Sequence, residues 1–102
     1  MARRLQLHEE LCSILGSRNV YFQPPESVKL QYDCFVYNIA DRNDIRADDS
    51  QYRGFVGYDL TYIHRDPDSE LSDMLLRSFD RIRHSRSFTT NNLHHDVFRI
   101  YY

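Results

Sequence analysis

Lysine is almost absent from this chain. Of 13 basic residues only Lys29 is a lysine, and the other 12 are arginines. Tryptophan is missing altogether, and glycine and proline number three each. So few chain breakers leave little room for a low-complexity linker. Three glycines also exclude most glycine-built motifs, and no GxGxxG, GxSxG, HExxH or phosphate loop occurs. Cysteine is scarce as well. Cys12 and Cys34 stand 22 positions apart, outside any CxxC pair or zinc-ligand spacing. Each lies among apolar neighbours, which predicts two buried thiols in a reducing compartment. No stretch approaches the ~18 apolar residues of a membrane span. The opening MARRLQLHEEL begins basic but meets Glu9 and Glu10 too early for a secretory signal. The expectation is a protein made in the cytoplasm, with neither address nor anchor.

What remains is a chain of 102 residues, 41% hydrophobic and 14% aromatic, with eight Tyr and six Phe. A chain of this length buries about two-thirds of its unfolded surface and forms one modest core. The net charge of -2 gives no bulk attraction for nucleic acid, although a local basic patch stays open. Arginine and tyrosine are interface residues, and lysine is depleted at interfaces. The composition therefore leans towards an assembly protein.

Periodicity divides the chain into seven elements. Leu7, Leu11, Ile14 and Leu15 fall at i, i+4, i+7 and i+8, which predicts a helix over 3–15 with Gly16 as a left-handed cap. NVYF (19–22) is a short strand halted by Pro24 and Pro25. YDCFVYNI (32–39) is apolar on both faces and reads as an interior strand. The segment 41–51, DRNDIRADDSQ, holds four Asp and two Arg and has no apolar period. It reads as a loop, long for a hairpin in so small a domain. Residues 52–65 follow as a strand of unusual length, its first half projecting with the acidic loop. Tyr52, Val56, Tyr58, Leu60 and Tyr62 share one face. DPDSE (66–70) predicts a helix start, with Asp66 as cap and Pro67 in the first turn. Leu71, Met74, Leu75 and Phe79 form its apolar stripe. RIRHSR (81–86) is basic and polar, SFTT (87–90) a strand, and Asn91-Asn92 a turn. Residues 96–102 close the order, with Phe98, Ile100 and Tyr102 on one face. The prediction is a single α+β domain over 1–102. It has a mainly antiparallel sheet with two helices packed on it, order α-β-β-β-α-β-β, and a long β-hairpin.

Three groups of residues invite a chemical reading. His94, His95 and Asp96 resemble the start of a metal site, yet adjacent strand residues point to opposite faces. Only His94 and Asp96 share a face, one ligand short of a zinc site, and no metal or other cofactor is expected. Cys12 lies inside a helix, where no helix terminus lowers its pKa, and no thiol enzyme built on Cys12 or Cys34 is expected. Arg77, Arg81, Arg83, His84 and Arg86 interleave with Phe79 and Phe88, a pattern that suits a nucleic-acid or acidic protein surface. The plainer reading is a solvated helix end whose cations complement the dipole.

Three stretches go further. LCSILGSRNVYFQPPESVKLQYDCFVY (11–37), HRDPDSE (64–70) and NNLHHDVFRIYY (91–102) together resemble a family of small tailed-phage proteins. These are described as tail terminator, tail completion or tail-to-head joining proteins, and the likeness runs over nearly the whole chain. One departure is visible: relatives often place proline after the tyrosine that opens the second strand, where Asp33 follows Tyr32 here. The resemblance implies a virion protein at the head–tail junction, forming a ring, usually of six copies, on the last ring of the tail tube. Its implied partners are further copies of itself, the tail tube protein and the head connector or stopper, with DNA passing through the lumen. It brings no catalytic residues. A subunit contact or lumen lining is then expected from the hairpin residues Asp41, Arg42, Asp44 and Arg46, together with Asp48, Asp49, Tyr52 and Arg53. Acidic Asp44, Asp48 and Asp49 would let DNA pass without gripping it. The alternatives are a head-completion or stopper protein of the same junction, or a small nucleic-acid-binding regulator using Arg77, Arg81, Arg83 and Arg86.

Overall fold

The computed structural model describes residues 2–41 and 56–102, with backbone only at Ala2, Arg3 and Asp41. The elements follow the expected order α-β-β-β-α-β-β. Helix α1 (Ala2–Leu15) buries Leu7 and Leu11 completely, with Cys12, Ile14 and Leu15 against the same core. Gly16 ends it at φ +81°, its N–H donating to the Cys12 carbonyl at 2.9 Å. That left-handed turn is nearly free for glycine alone.

Strand β1 (Val20–Phe22) pairs in parallel with β2 (Cys34–Asp41), Val20 opposite Phe35. The crossover between them lies over the sheet face turned away from α1. Tyr21 is on that face, and its hydroxyl accepts the Gln31 N–H at 3.1 Å. Strand β3 (Gly57–His64) runs antiparallel to β2. The expected strand over 52–65 is thus shorter among the described residues, because Arg65 turns away with its N–H held by the Asp33 carboxylate at 3.2 Å. Asp41, read from sequence as the first loop residue, instead closes β2 opposite Gly57, beyond an irregularity in register after Ile39. Arg42, Asp44, Arg46, Asp48, Asp49, Tyr52 and Arg53 lie outside the described residues.

Helix α2 (Leu71–Ser78) begins later than DPDSE suggested. Asp66 does not cap it: its carboxylate accepts the Asp68 N–H at 2.9 Å, closing a local turn. Asp side chains readily bond the backbone two residues on. Glu70 occupies the N-cap position without a side-chain cap bond. Leu71, Leu75 and Phe79 form the inward stripe, whereas Met74 is 40% exposed. Two turns of helix offer the sheet a face too narrow for it.

Strand β4 (Ile82–Thr90) takes in residues 82–86 of the basic segment 81–86, which composition read as a polar helix end. Pairing overrides local polarity here: Ile82 opposes Ile100, Arg83 opposes Arg99 and His84 opposes Phe98 on β5 (Leu93–Tyr101). Asn91 and Asn92 join the two strands at φ 53° and 64°, the two left-handed residues of a tight hairpin turn. The last strand starts at Leu93, so His94 and His95 are within it. The sheet order is β1-β2-β3-β5-β4, antiparallel except for β1–β2. Between helices and sheet lie Phe35, Tyr37, Leu60, Tyr62, Phe98 and Ile100, none above 1% exposure. Each such side chain contributes about 1.5–3 kcal/mol on burial. Among the described residues no helix is long and apolar enough to cross a membrane.

Candidate functional site

The predicted basic patch is divided by the fold. Arg83 and Arg86 alternate with His84 and Ser87 along β4, with one extra residue between, so both point away from the helices. Arg77 lies on α2, in the helix layer, and Arg81 precedes β4 half-buried, its carbonyl accepting the Tyr101 N–H at 2.9 Å. Phe79 is in the core and does not interleave with the cations. What survives as a surface is Arg83, Arg86 and Phe88. Phe88 is 42% exposed, stacks on His95 with ring centres 4.6 Å apart, and carries the Arg86 guanidinium 5.5 Å from its own centre. Among the described residues, strand β4 has β5 on one side and no sheet neighbour on the other. Every residue from Arg83 to Thr90 is exposed.

On the helix side, the facing ends of β3, β4 and β5 hold a polar cluster that sequence reasoning did not assemble. Antiparallel pairing sets His64 opposite His94, with Asp96 two residues along. Asp96 Oδ2 accepts His64 Nε2–H at 3.0 Å and the Ser72 hydroxyl at 2.7 Å, while Oδ1 accepts the Ser87 hydroxyl at 2.7 Å. Ser87 in turn lies 2.7 Å from His84 Nε2. His64 is 4% exposed and stacks on Tyr62 at 4.2 Å. Its Nδ1 meets the Asp66 carbonyl at 2.8 Å. Burial pushes the Asp96 carboxyl up, but the bonds from Ser87, Ser72 and His64 outweigh it and hold the group below its ordinary value.

Serine, histidine and aspartate thus meet, but in the wrong order for acyl transfer. A nucleophile relay places histidine between serine and carboxylate, so that imidazole takes the serine proton. Here both serine protons point at the carboxylate, and the histidines stand outside it. This arrangement joins α2, β3, β4 and β5 through one acceptor. The signal was present in the sequence as a histidine and an aspartate in two strands. Only their register shows that they meet.

A second polar contact fixes α1. Tyr37 is fully buried, and its hydroxyl donates to His8 Nδ1 at 2.8 Å, with Arg4 at 3.4 Å. Burial, then the Arg4 charge, pushes the His8 pKa down, which suits an acceptor ring. The thiols are inert by environment. Burial raises both, Cys34 to about 11, and neither thiolate forms near neutral pH. Among the described residues, no three His, Cys, Asp or Glu side chains come together as a metal site. An open groove of about 350 Å³ lies between α1, the α2–β4 connection and the end of β5, lined by Gln6, Glu10, Phe79, Arg81 and Tyr102. Glu10 there accepts the Tyr102 hydroxyl. No family model, curated protein or solved structure matches the chain.

Proposed function

We propose that this protein is a ring-forming structural component of a phage head–tail junction, a tail terminator. It caps the tail tube, stops tube polymerisation and joins the tail to the head connector. The ring comprises six copies, assembled in the bacterial host cytoplasm and retained in the virion. Its partners are its own copies, the tube protein and the connector or stopper, and DNA passes through its lumen without specific binding.

The observation that carries this reading is the edge of the sheet that β4 forms among the described residues. A nine-residue edge strand bearing arginines is a surface suited to another protein chain, since open edges are sites of strand or subunit contact. The element order also agrees with the resemblance carried by residues 11–37, 64–70 and 91–102. The polar cluster around Asp96 has the order of a structural tie. The lumen role of 41–53 follows from that segment's length and acidity.

Electron microscopy of particles from a phage lacking the gene tests the proposal. DNA-filled heads beside separate, overlong tails are expected. Normal tails beside leaking, emptied heads would move the protein to the capsid side of the joint, as a stopper. Intact virions would overturn the assignment. Arg83 and Arg86 around the Phe88–His95 stack favour a second reading, a small nucleic-acid-binding regulator. It requires DNA affinity that falls steeply with salt. Absence of binding at low salt removes it.

A further inference from the structure

Two stretches of this domain each carry charge of one sign. The segment 81–90 carries three arginines and His84 and no carboxylate. The segment 66–73, DPDSELSD, carries exposed Asp66, Asp68, Glu70 and Asp73 and no cation. Strands β3 and β4 are both antiparallel to β5 and so run in the same direction. Arg83 is in register with Arg99 and Asp59, near the Gly57 end of the sheet. Thr89 is in register with His94 and His64, the end from which the acidic segment departs. Six residues of strand separate Arg83 from Thr89, about 20 Å, and three separate Arg86 from it, about 10 Å. At physiological salt exposed charges are screened beyond about 8 Å. The basic part of the edge and the acidic turn therefore do not neutralise one another within one copy. Among the described residues, Arg83, Arg86, Asp68, Glu70 and Asp73 form no ion pair.

We propose that the β4 edge of one copy, through Arg83 and Arg86, docks on the acidic 66–73 segment of a second copy. This deepens the ring reading and rests on it. The contact joins two different surfaces of the same chain, so each copy retains one free surface of each kind. Such heterologous contacts repeat, and they close into a ring when the rotation permits. The alternative self-contact, β4 against β4 about a two-fold axis, sets arginines near arginines, and like charges across a strand pair are unfavourable. It also meets the irregularity at Ser85, where the register with β5 shifts between His84 and Arg86 and the edge is no longer flat.

Paired charge reversals on the whole protein, read by sedimentation and native mass spectrometry at about 0.1 M salt, test the contact. Arg83→Glu/Arg86→Glu and Asp68→Lys/Asp73→Lys are each expected to weaken self-association about a hundredfold or more. Both pairs are exposed, and unchanged circular dichroism and melting temperature verify that the variants fold. An equimolar mixture of the two variants restores matched charges at every contact and is expected to recover the wild-type oligomer. Salt near 1 M, which shortens the screening length to about 3 Å, is expected to dissociate it. A wild-type monomer at low salt, or reversals that leave association unchanged, would overturn the inference. So would reversals that abolish association without rescue on mixing. DNA binding lost with Arg83→Glu/Arg86→Glu, while self-association persists, would assign the edge to nucleic acid instead. An oligomer insensitive to these reversals refutes this contact alone; the head–tail assignment stands or falls on particle morphology.

Discussion

Replacing Asp96 with alanine removes the acceptor shared by Ser72, Ser87 and His64. Three bonds to one carboxylate disappear, and His64, 4% exposed, loses the partner of its Nε2. A hydrogen bond to a charged group contributes about 1.5–3 kcal/mol, and the three are not additive because they share one acceptor. Breaking a buried pair by removing one member costs about 3–5 kcal/mol. The two hydroxyls can turn to water, so the lower figure applies, about 3 kcal/mol. For a domain of this length that is a fall in melting temperature of roughly 12–24 °C. Calorimetry or urea unfolding provides the measurement. The matched control is Asp59→Ala, which breaks the Arg99–Asp59 pair, whose side chains are 26% and 39% exposed. An ion pair so open to solvent is expected to cost less than about 1 kcal/mol. If Asp96→Ala were no more destabilising than Asp59→Ala, the cluster would not be the tie described above.

The remaining predictions concern acid, thiols and the turn. The His8 pKa is depressed below 6.5, so its share of stability is present above that pH and is lost as pH falls through the folded value. Asp96 adds a second loss below about 3.8, its ordinary value, by the same sign. Urea midpoints taken down the acid range read both, and an Asp96→Ala variant that keeps the lower limb unchanged would disprove its origin. Cys34 is raised to about 11, so its contribution is complete below pH 9 and declines as pH rises towards 11. In the native protein its thiol should resist a maleimide reagent until urea unfolds the chain, and rapid native labelling would contradict its burial. Asn92→Gly should stabilise the hairpin by a few tenths of a kcal/mol, while Asn92→Ile should cost about 1–2 kcal/mol, because φ is 64° there. Equal melting temperatures for these two variants would refute the turn assignment.

The sequence was informative where a local rule coincides with the tertiary outcome. Gly16 as a left-handed cap, the Asn91-Asn92 turn and the two-faced Phe35–Val36–Tyr37 strand are cases of that kind. It misled where a partner decides. RIRHSR has no apolar alternation, yet its residues 82–86 form half of β4 because Ile100, Arg99 and Phe98 lie beside it. Asp66 has every attribute of a helix cap, but its carboxylate turns to the Asp68 N–H and the helix starts at Leu71. The basic patch looked continuous in sequence because Arg77 to Arg86 are close along the chain. A helix end and an alternating strand then sent those residues to different sides of the molecule. The Asp96 cluster was hidden for the opposite reason. His64, Ser72, Ser87 and Asp96 are spread over 33 positions, and only strand register brings them together.

The order β1-β2-β3-β5-β4 has a consequence for biosynthesis. Strand β5 follows β4 in the chain yet lies between β3 and β4 in the sheet. Until β5 leaves the ribosome, β3 has a bare edge and β4 has nothing to pair with. Phe98 and Ile100, both fully buried, arrive with that strand. The half-made protein therefore exposes apolar surface and an open strand together, the combination most prone to aggregation. Completing the sheet requires the β4–β5 hairpin, closed by the tight Asn91-Asn92 turn, to dock on β3 through β5.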